Sequence, residues 1–468
     1  MADLSIVCLD PGEGDGARYE LGPGNWKAPS IPDLARPGER VDLAEHEVID
    51  VVILGDGHQT RATFEQQLSA WLTDLFAVDV YEAFSGAFRI RALFRASAEP
   101  CSSGRGSYYR IPVGTSGDDT GEVASDGWWR GSASADIEFR AHFFEDVFSF
   151  AVNPSVYPHD LDADVVNADG NPVPVIHNRL AGMHSHLVVV MLVRSTVANA
   201  SGRTREVDED DGSRLVNVAF GSHALHEFGH AFAYLEDEYI SDRSRKAKRR
   251  NPVVPSIFTL SNLTFDNHIG AAPWHHLSPW GRRLRKAAGD QPSPLVGWLW
   301  RGGEQNDGVW HSEFHCLMNG RHVNYSYSLT ETTKPGADLR FRRPPRYCLW
   351  CRELVTLRIL EKTGRLGDSG DPTDINERGR LWYSRWVEIW RERYWDAFDV
   401  DRAIDEREAL YASPGSEPGT FDELADGLGG YRRLDASDLC SVFAAQPLST
   451  GPAPEDDEDA LQTLLTNA

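Results

Sequence analysis

The sequence contains no long hydrophobic run, and nowhere do the roughly 18 to 20 consecutive apolar residues of a membrane-spanning helix occur. The opening residues, MADLSIVCLDPGEG, have neither a basic segment nor a long apolar segment, so they do not resemble a secretory signal peptide. We therefore expect no membrane partner, and either a cytoplasmic protein or one exported by a leaderless route.

Basic residues are scarce relative to acidic ones. The 468 residues include 47 Lys and Arg against 71 Asp and Glu, a formal net charge of -24. This charge repels phosphate backbones, so nucleic acid is not expected as a partner. Cysteine is scarce as well: six cysteines are too few to build a disulfide scaffold in a chain of this length.

The chain divides into three regions by composition. Residues 1–45 are rich in Gly, Pro and acidic residues and are predicted to form an irregular arm. Residues 46–366 contain apolar runs and helical patterns that predict an α/β (α+β) domain with a mixed twisted sheet. Within this domain, Gly- and Ser-rich or Pro-rich composition predicts insertions near 98–135 and 240–310.

An acidic, Trp-rich extension is predicted over residues 367–468, with helical patterning near its start. The segment 375–395 places Trp382, Trp386 and Trp390 on one face of a helix. Three hypotheses fit this face: it packs against the preceding domain, it docks a partner, or it covers a functional cleft.

The most informative motif is His226-Glu227-Phe228-Gly229-His230, which matches H-E-x-x-H within a predicted helix over 218–239. Residues four apart lie on the same face of a helix, so both imidazoles can reach one metal ion. Glu227 can then accept a proton from a water on that metal, which becomes a nucleophile for amide hydrolysis. The sequence predicts a catalytic Zn²⁺ held by His226 and His230, with Glu227 as general base.

A catalytic zinc usually has three protein ligands, and an acidic segment follows the motif directly. Glu236 lies six residues after His230, the count at which metzincins place their third ligand. Asp237 lies seven residues after His230, on the same face if the helix continues, and Glu238 is a further alternative. Spacing alone leaves all three carboxylates open.

The segment HEFGHAFAYLEDEY resembles the signature of the IgA-peptidase family of zinc metallopeptidases, in which H-E-x-G-H is followed at a fixed distance by Asp-Glu-Tyr. Further segments resemble the same family over about residues 48–363. These are ILGDG (53–57), VVVMLVRS (188–195), Cys316-Leu-Met318 and Tyr-Cys348-Leu-Trp-Cys351. The resemblance implies a metzincin-like fold that hydrolyses protein or peptide substrates. It also implies that the metal ligands are His226, His230 and Asp237, with Met318 as an apolar floor below the metal.

Other residues near these motifs carry weaker expectations. Four roles are open to Cys348 and Cys351: buried free thiols, a disulfide, a redox pair, or a structural metal site together with Cys316 and either His315 or His322. An oxyanion-stabilising side chain is expected among a small set of candidates: Tyr239, His315, His322, Tyr325 and Tyr327.

Overall fold

The computed structural model describes the chain in segments. These are residues 4–10, 16–23, 29–44, 47–98, 108–109, 146, 160–166, 172–175, 187–194, 203–208, 214–220, 224–238, 262–265, 269–278, 296–297, 299–303, 306–313, 316–319, 346–366 and 383–412.

Strands and helices both contribute, and the protein is of the α+β class. The strands are β1 (Leu4–Asp10), β2 (Gly16–Pro23), β3 (Ser30–Pro32), β4 (Arg40–Asp42), β5 (Ile49–Asp56), β6 (Phe88–Arg95), β7 (Asp160–Val166), β8 (Pro172–Val175), β9 (Leu187–Val193), β10 (Arg203–Asp208), β11 (Arg214–Phe220), β12 (Leu263–Thr264), β13 (Trp300–Gly303) and β14 (Asn306–His311). The α-helices are α1 (Arg61–Ala77), α2 (Asp79–Ala83), α3 (Ala224–Ala233), α4 (Leu349–Lys362), α5 (Arg391–Ala397) and α6 (Val400–Ala412). Short 3₁₀ helices occupy Ser85–Ala87, Ile269–Ala271 and His275–Leu277, and a π-helical turn occupies Trp386–Trp390.

A seven-stranded mixed sheet has the order β1-β2-β6-β5-β9-β11-β10. The central strands β6, β5, β9 and β11 are parallel, and β1, β2 and β10 run antiparallel to their neighbours. Strand β5 is buried along its whole length, which explains its continuous apolar sequence, IDVVILGD. The predicted α/β (α+β) class with a mixed sheet is therefore confirmed, and the buried strands β5 and β9 coincide with apolar runs of the sequence.

The predicted irregular arm over residues 1–45 was wrong for residues 4–10 and 16–23, which form β1 and β2 of the main sheet. Antiparallel pairing joins β1 to β2 and then β2 to β6, and Tyr19 on β2 is fully buried. The Gly-, Pro- and acid-rich composition belongs to the residues between the strands, so an average over the segment obscured the strands themselves.

The predicted helix over 218–239 was too long at both ends. Residues 214–220 form β11, which pairs in parallel with β9, and α3 extends only from Ala224 to Ala233. The polar segment RTREVD before β11 forms a further strand, β10, at an edge of the sheet. Pairing with neighbouring strands overrides the local pattern in these segments.

Helix α1 begins after Thr60, whose side chain caps the first turn by accepting a hydrogen bond from the backbone N–H of Thr63. Helix α4 is buried along nearly its whole length and lies against α2 and α3. One hydrophobic core joins the sheet to α1, α3 and α4. None of the helices in the described segments is both long and apolar enough to cross a membrane.

The described part of the C-terminal extension packs against this core, as the first of the three hypotheses predicted. The indole N–H of Trp386 donates a 2.7 Å hydrogen bond to Glu353 on α4, and Arg391 forms an ion pair with the same carboxylate at 2.9 Å. Arg407 reaches further and pairs with buried Glu313 at 3.0 Å. Trp390 is half-buried, and Trp382 lies outside the described residues.

Candidate functional site

Helix α3 carries the H-E-x-x-H motif and is anchored by its aromatic face. Phe228 is fully buried and packs edge-on against Trp71 and Tyr81, with ring centroids 5.7 and 5.5 Å apart. Phe232 stacks on Phe228, one helical turn further along. This packing fixes the rotation of α3 about its axis, and the remaining face presents the two histidines to a common point.

The two imidazoles of α3 lie together, as their four-residue spacing predicts. Nε2 of His226 and Nε2 of His230 are 3.1 Å apart, and the ring centroids are 4.7 Å apart. A carboxylate oxygen of Glu227 lies within 4.8 Å of both histidine ligand atoms. These three residues form a group that could hold a metal ion.

Asp237 completes a convergence of three donor atoms. Its Oδ1 lies 2.9 Å from Nε2 of His226 and 3.2 Å from Nε2 of His230. A tetrahedral zinc with bonds of about 2.0–2.1 Å separates its donor atoms by roughly 3.3 Å. The three observed separations are close to that value, so the donor set fits a single small cation.

A chain reversal after α3 brings Asp237 to the histidines. The helix ends at Ala233, and Tyr234 has a left-handed backbone with φ of 56°. The N–H of Tyr234 donates to the carbonyl of His230, and the N–H of Leu235 donates to that of Gly229, which closes the helix terminus. The following residues therefore fold back along the helix instead of extending it.

Of the three carboxylates that spacing left open, only Asp237 reaches both imidazoles in the described structure. The backbone of Glu236 is held by the Asn262 side chain, which accepts from its N–H at 2.7 Å and donates to its carbonyl at 2.9 Å. Glu238 is fully buried and faces a separate group of cysteines. Asn262 thus orients the segment on either side of Asp237.

Each histidine is oriented through its other ring nitrogen. Nδ1 of His226 lies 2.8 Å from the carbonyl oxygen of Leu317, and Nδ1 of His230 contacts the carbonyl oxygen of Leu235. A carbonyl can only accept, so Nδ1 carries a proton in each ring and Nε2 is the nitrogen that faces the cluster. This tautomer is the one that ligates a metal through Nε2.

The electrostatics of the cluster favour positive charge. Burial alone would lower the pKa of His230, but the hydrogen bond and the charge of Asp237, together with Glu227, raise it to about 10. Burial would likewise raise the pKa of Asp237, but its contacts with His226 and His230 hold that pKa well below its usual range. A divalent cation supplies the same positive charge at the same point.

Met318 and Tyr347 lie directly behind the motif. A Cβ atom built on Gly229 would meet Met318 Sδ at 2.8 Å and Tyr347 Oη at 2.9 Å, so only glycine fits at the centre of the motif. Met318 is fully buried, as is Tyr347, whose hydroxyl also contacts that of Tyr81 at 3.1 Å. Met318 therefore forms an apolar support behind the helix that carries both histidines.

A second group that could hold a metal lies in the core nearby. It consists of Glu238, Cys316, Cys348 and Cys351, all fully buried, with their ligand atoms within 4.8 Å of one another. The three cysteines form no disulfide. The sequence motifs predicted a metal group of these three cysteines, with His315 or His322 as its fourth member. Both histidines lie outside the described residues. Glu238 was considered only as a ligand of the first site.

The other oxyanion candidates, Tyr239, Tyr325 and Tyr327, also lie outside the described residues.

Comparison with known proteins gives no guide to the site: no protein-family model matches the chain, and no curated protein matches it.

Proposed function

We propose that this chain is a zinc-dependent endopeptidase in which His226, His230 and Asp237 hold the metal and Glu227 is the general base. The observation that carries the proposal is the convergence of two Nε2 atoms and one carboxylate oxygen within 2.9 to 3.2 Å. Two imidazoles and a carboxylate form a three-ligand set that leaves a fourth position open, which is the arrangement of catalytic zinc.

Partial exposure supports a catalytic site over a closed structural one. The side chains of His230 and Asp237 are 18% and 20% exposed, so one side of the cluster is open to solvent. When bound, zinc supplies a Lewis acid that lowers the pKa of a water molecule and polarises a carbonyl group.

Glu227 has the position of a general base. It follows His226 in α3, and its carboxylate lies within reach of a water molecule placed between it and the ligand nitrogens. It accepts the proton of that water and then donates it to the nitrogen of the departing amine. Meanwhile the carbonyl groups of Leu317 and Leu235 hold the two imidazoles in a fixed tautomer, so neither ring needs to reorient during the reaction.

The segment HEFGHAFAYLEDEY and its resemblance to the IgA-peptidase family support the same proposal. The mixed sheet, the helix bearing both histidines and the buried Met318 are compatible with a metzincin-like organisation. Protein or peptide is accordingly the proposed substrate class.

Two other functions use the same residues. A catalytically silent zinc-binding or scaffold protein would bind the metal without turnover, and a non-peptidase amide hydrolase would use the same ligands on a different leaving group. The open edge of the cluster and the presence of Glu227 beside it favour hydrolysis over a silent scaffold.

The test compares the wild-type chain with Glu227→Gln and with Glu236→Gln, which changes a neighbouring carboxylate that does not reach the imidazoles. Each zinc-loaded protein is incubated with a peptide library, and the products are identified by mass spectrometry. Loss of a general base is expected to reduce turnover by about 10²- to 10⁴-fold, whereas zinc content should stay unchanged. Glu236→Gln should behave like the wild type, and a metal chelator should abolish cleavage.

Other results would reject Glu227 as the general base or would support one of the two alternative functions. Wild-type turnover by the Glu227→Gln protein would reject the assigned base. A zinc-loaded wild type that cleaves no library peptide would support the silent scaffold, unless it hydrolyses small amides, which would identify a non-peptidase hydrolase.

A further inference from the structure

We infer that Glu238, Cys316, Cys348 and Cys351 form a second, structural metal site that takes Zn²⁺ or a similar thiophilic cation. The four side chains come from three segments of the chain, and each of them is fully buried. With four protein donors, such a site has no open position and is suited to holding segments together instead of performing chemistry.

The spacing of the ligand atoms fits one tetrahedral ion. Zinc–sulfur bonds of about 2.3 Å and zinc–oxygen bonds of about 2.0–2.2 Å separate the ligand atoms by roughly 3.5 to 3.8 Å. Oε1 of Glu238 lies 3.1 Å from Sγ of Cys351 and 3.9 Å from Sγ of Cys348, and the whole group lies within 4.8 Å.

Hydrogen-bond donors are directed at the sulfur atoms. The N–H groups of Met318 and Cys348 point to Sγ of Cys316, at 3.5 and 3.3 Å. The N–H of Cys351 and the hydroxyl of Ser312 point to Sγ of Cys348, both at 3.3 Å. A thiolate is a stronger acceptor than a neutral thiol, so four donors on two sulfurs would stabilise the thiolate, the form in which cysteine binds metal.

Hydrogen bonds satisfy only one oxygen of the buried carboxylate. Oε1 of Glu238 accepts a 2.9 Å hydrogen bond from Asn262 and lies 3.1 Å from Sγ of Cys351. Within the described residues, Oε2 has no hydrogen-bond partner, although Nδ1 of His311 lies 3.6 Å away. An ionised carboxylate in the core is costly unless it is paired or coordinates a metal. A disulfide would not solve this problem, because it would use two of the three thiols and leave Glu238 unchanged.

The second site is linked by covalent bonds to the first. Glu238 follows Asp237 directly, and Cys316 precedes Leu317, whose carbonyl holds His226. In addition, the N–H of Glu238 donates to the carbonyl of Met318 at 2.9 Å. A metal on the cysteines therefore links the segment of Asp237 to the segment of Met318. It positions three parts of the first site: the ligand Asp237, the carbonyl of Leu317 and the side chain of Met318.

The test separates the two sites by metal content instead of activity. The purified full chain should contain two zinc ions, and the double variant His226→Ala/His230→Ala should retain one. After exchange with Co²⁺, this double variant should show the near-ultraviolet thiolate-to-cobalt charge-transfer band. Cys351→Ser introduced into the double variant should abolish the band, whereas the matched substitution Cys440→Ser should leave it unchanged.

A folded double-histidine variant that contains no zinc and shows no cobalt–thiolate band would overturn the inference. If that variant fails to fold, the wild-type chain is titrated with a mercurial reagent in the presence of a zinc-sensitive dye. Release of one of two zinc ions as the thiols react supports the inference, and reaction of all six thiols without zinc release overturns it. Neither result depends on turnover, so failure of the proposed peptidase activity would leave this test intact.

Discussion

Replacing Glu353 with Gln is expected to weaken the attachment of the C-terminal helices to the core. The Glu353 carboxylate accepts hydrogen bonds from Trp386 at 2.7 Å and Arg391 at 2.9 Å, and its second oxygen lies 2.6 Å from Nε2 of His276. Only 1% of its side chain is exposed. Burial alone would raise the pKa of Glu353, but His276, Arg391 and Trp386 outweigh burial and lower it from 4.5 to about 2.

The magnitude follows from this pKa shift. A displacement of about 2.5 pH units corresponds to about 3 kcal/mol of stability. Because the folded-state pKa is depressed, this contribution is fully present above pH 4.5 and is lost as the pH falls towards about 2. Removing one partner of a buried ion pair typically costs about 3–5 kcal/mol, which agrees with this value.

The assay is urea unfolding followed by tryptophan fluorescence, for the wild type and Glu353→Gln, at several pH values from 7 downwards. At pH 7 the variant should be less stable by about 3 kcal/mol, and the difference should shrink as the pH falls below 4.5. Glu388→Gln, which removes an exposed carboxylate from the π-helical turn that contains Trp386, is the control and should change stability little. Equal stability of Glu353→Gln and wild type at pH 7, or a difference that does not vary with pH, would refute the reasoning.

Two further predictions concern the first site. Asp237→Asn should weaken zinc binding, measured by competition with a chromogenic chelator, whereas Glu236→Gln should not; equal affinities would exclude Asp237 as a ligand. Gly229→Ala should destabilise the fold by about 1–3 kcal/mol in thermal unfolding, because its methyl group would collide with Met318. Gly364→Ala has no atom within 4 Å of the new methyl group and tests backbone strain alone, at φ of 70°. A Gly229→Ala protein at least as stable as the wild type would contradict the predicted collision.

The sequence was sufficient for those parts of the site that depend on local geometry. A spacing of four residues on a helix places His226 and His230 on one side, whatever surrounds them. The apolar runs of β5 and β9 likewise predicted buried strands, because a parallel strand with both faces covered needs no polar alternation.

The parts of the fold and of the site that the sequence did not predict depend on backbone turns and on contacts between distant segments. The return of Asp237 depends on a left-handed Tyr234, and a tyrosine carries no local signal for that conformation. The fourth member of the cysteine group was missed because Glu238 and Cys351 are 113 residues apart and meet only through tertiary packing. Strand β2 was missed because its pairing with β6 is a long-range interaction that local composition does not encode, and β1 in turn pairs with β2.

The support behind the histidines has a consequence for how the protein is made. His226 and His230 are synthesised before the residues that support them. Leu317, Met318 and Tyr347 follow about 90 to 120 residues later. A nascent chain that ends before these residues has both imidazoles and Glu227, yet it lacks the carbonyl that orients His226 and the side chains that fill the space behind Gly229. The order of synthesis therefore delays completion of the site until the polypeptide around it has been made.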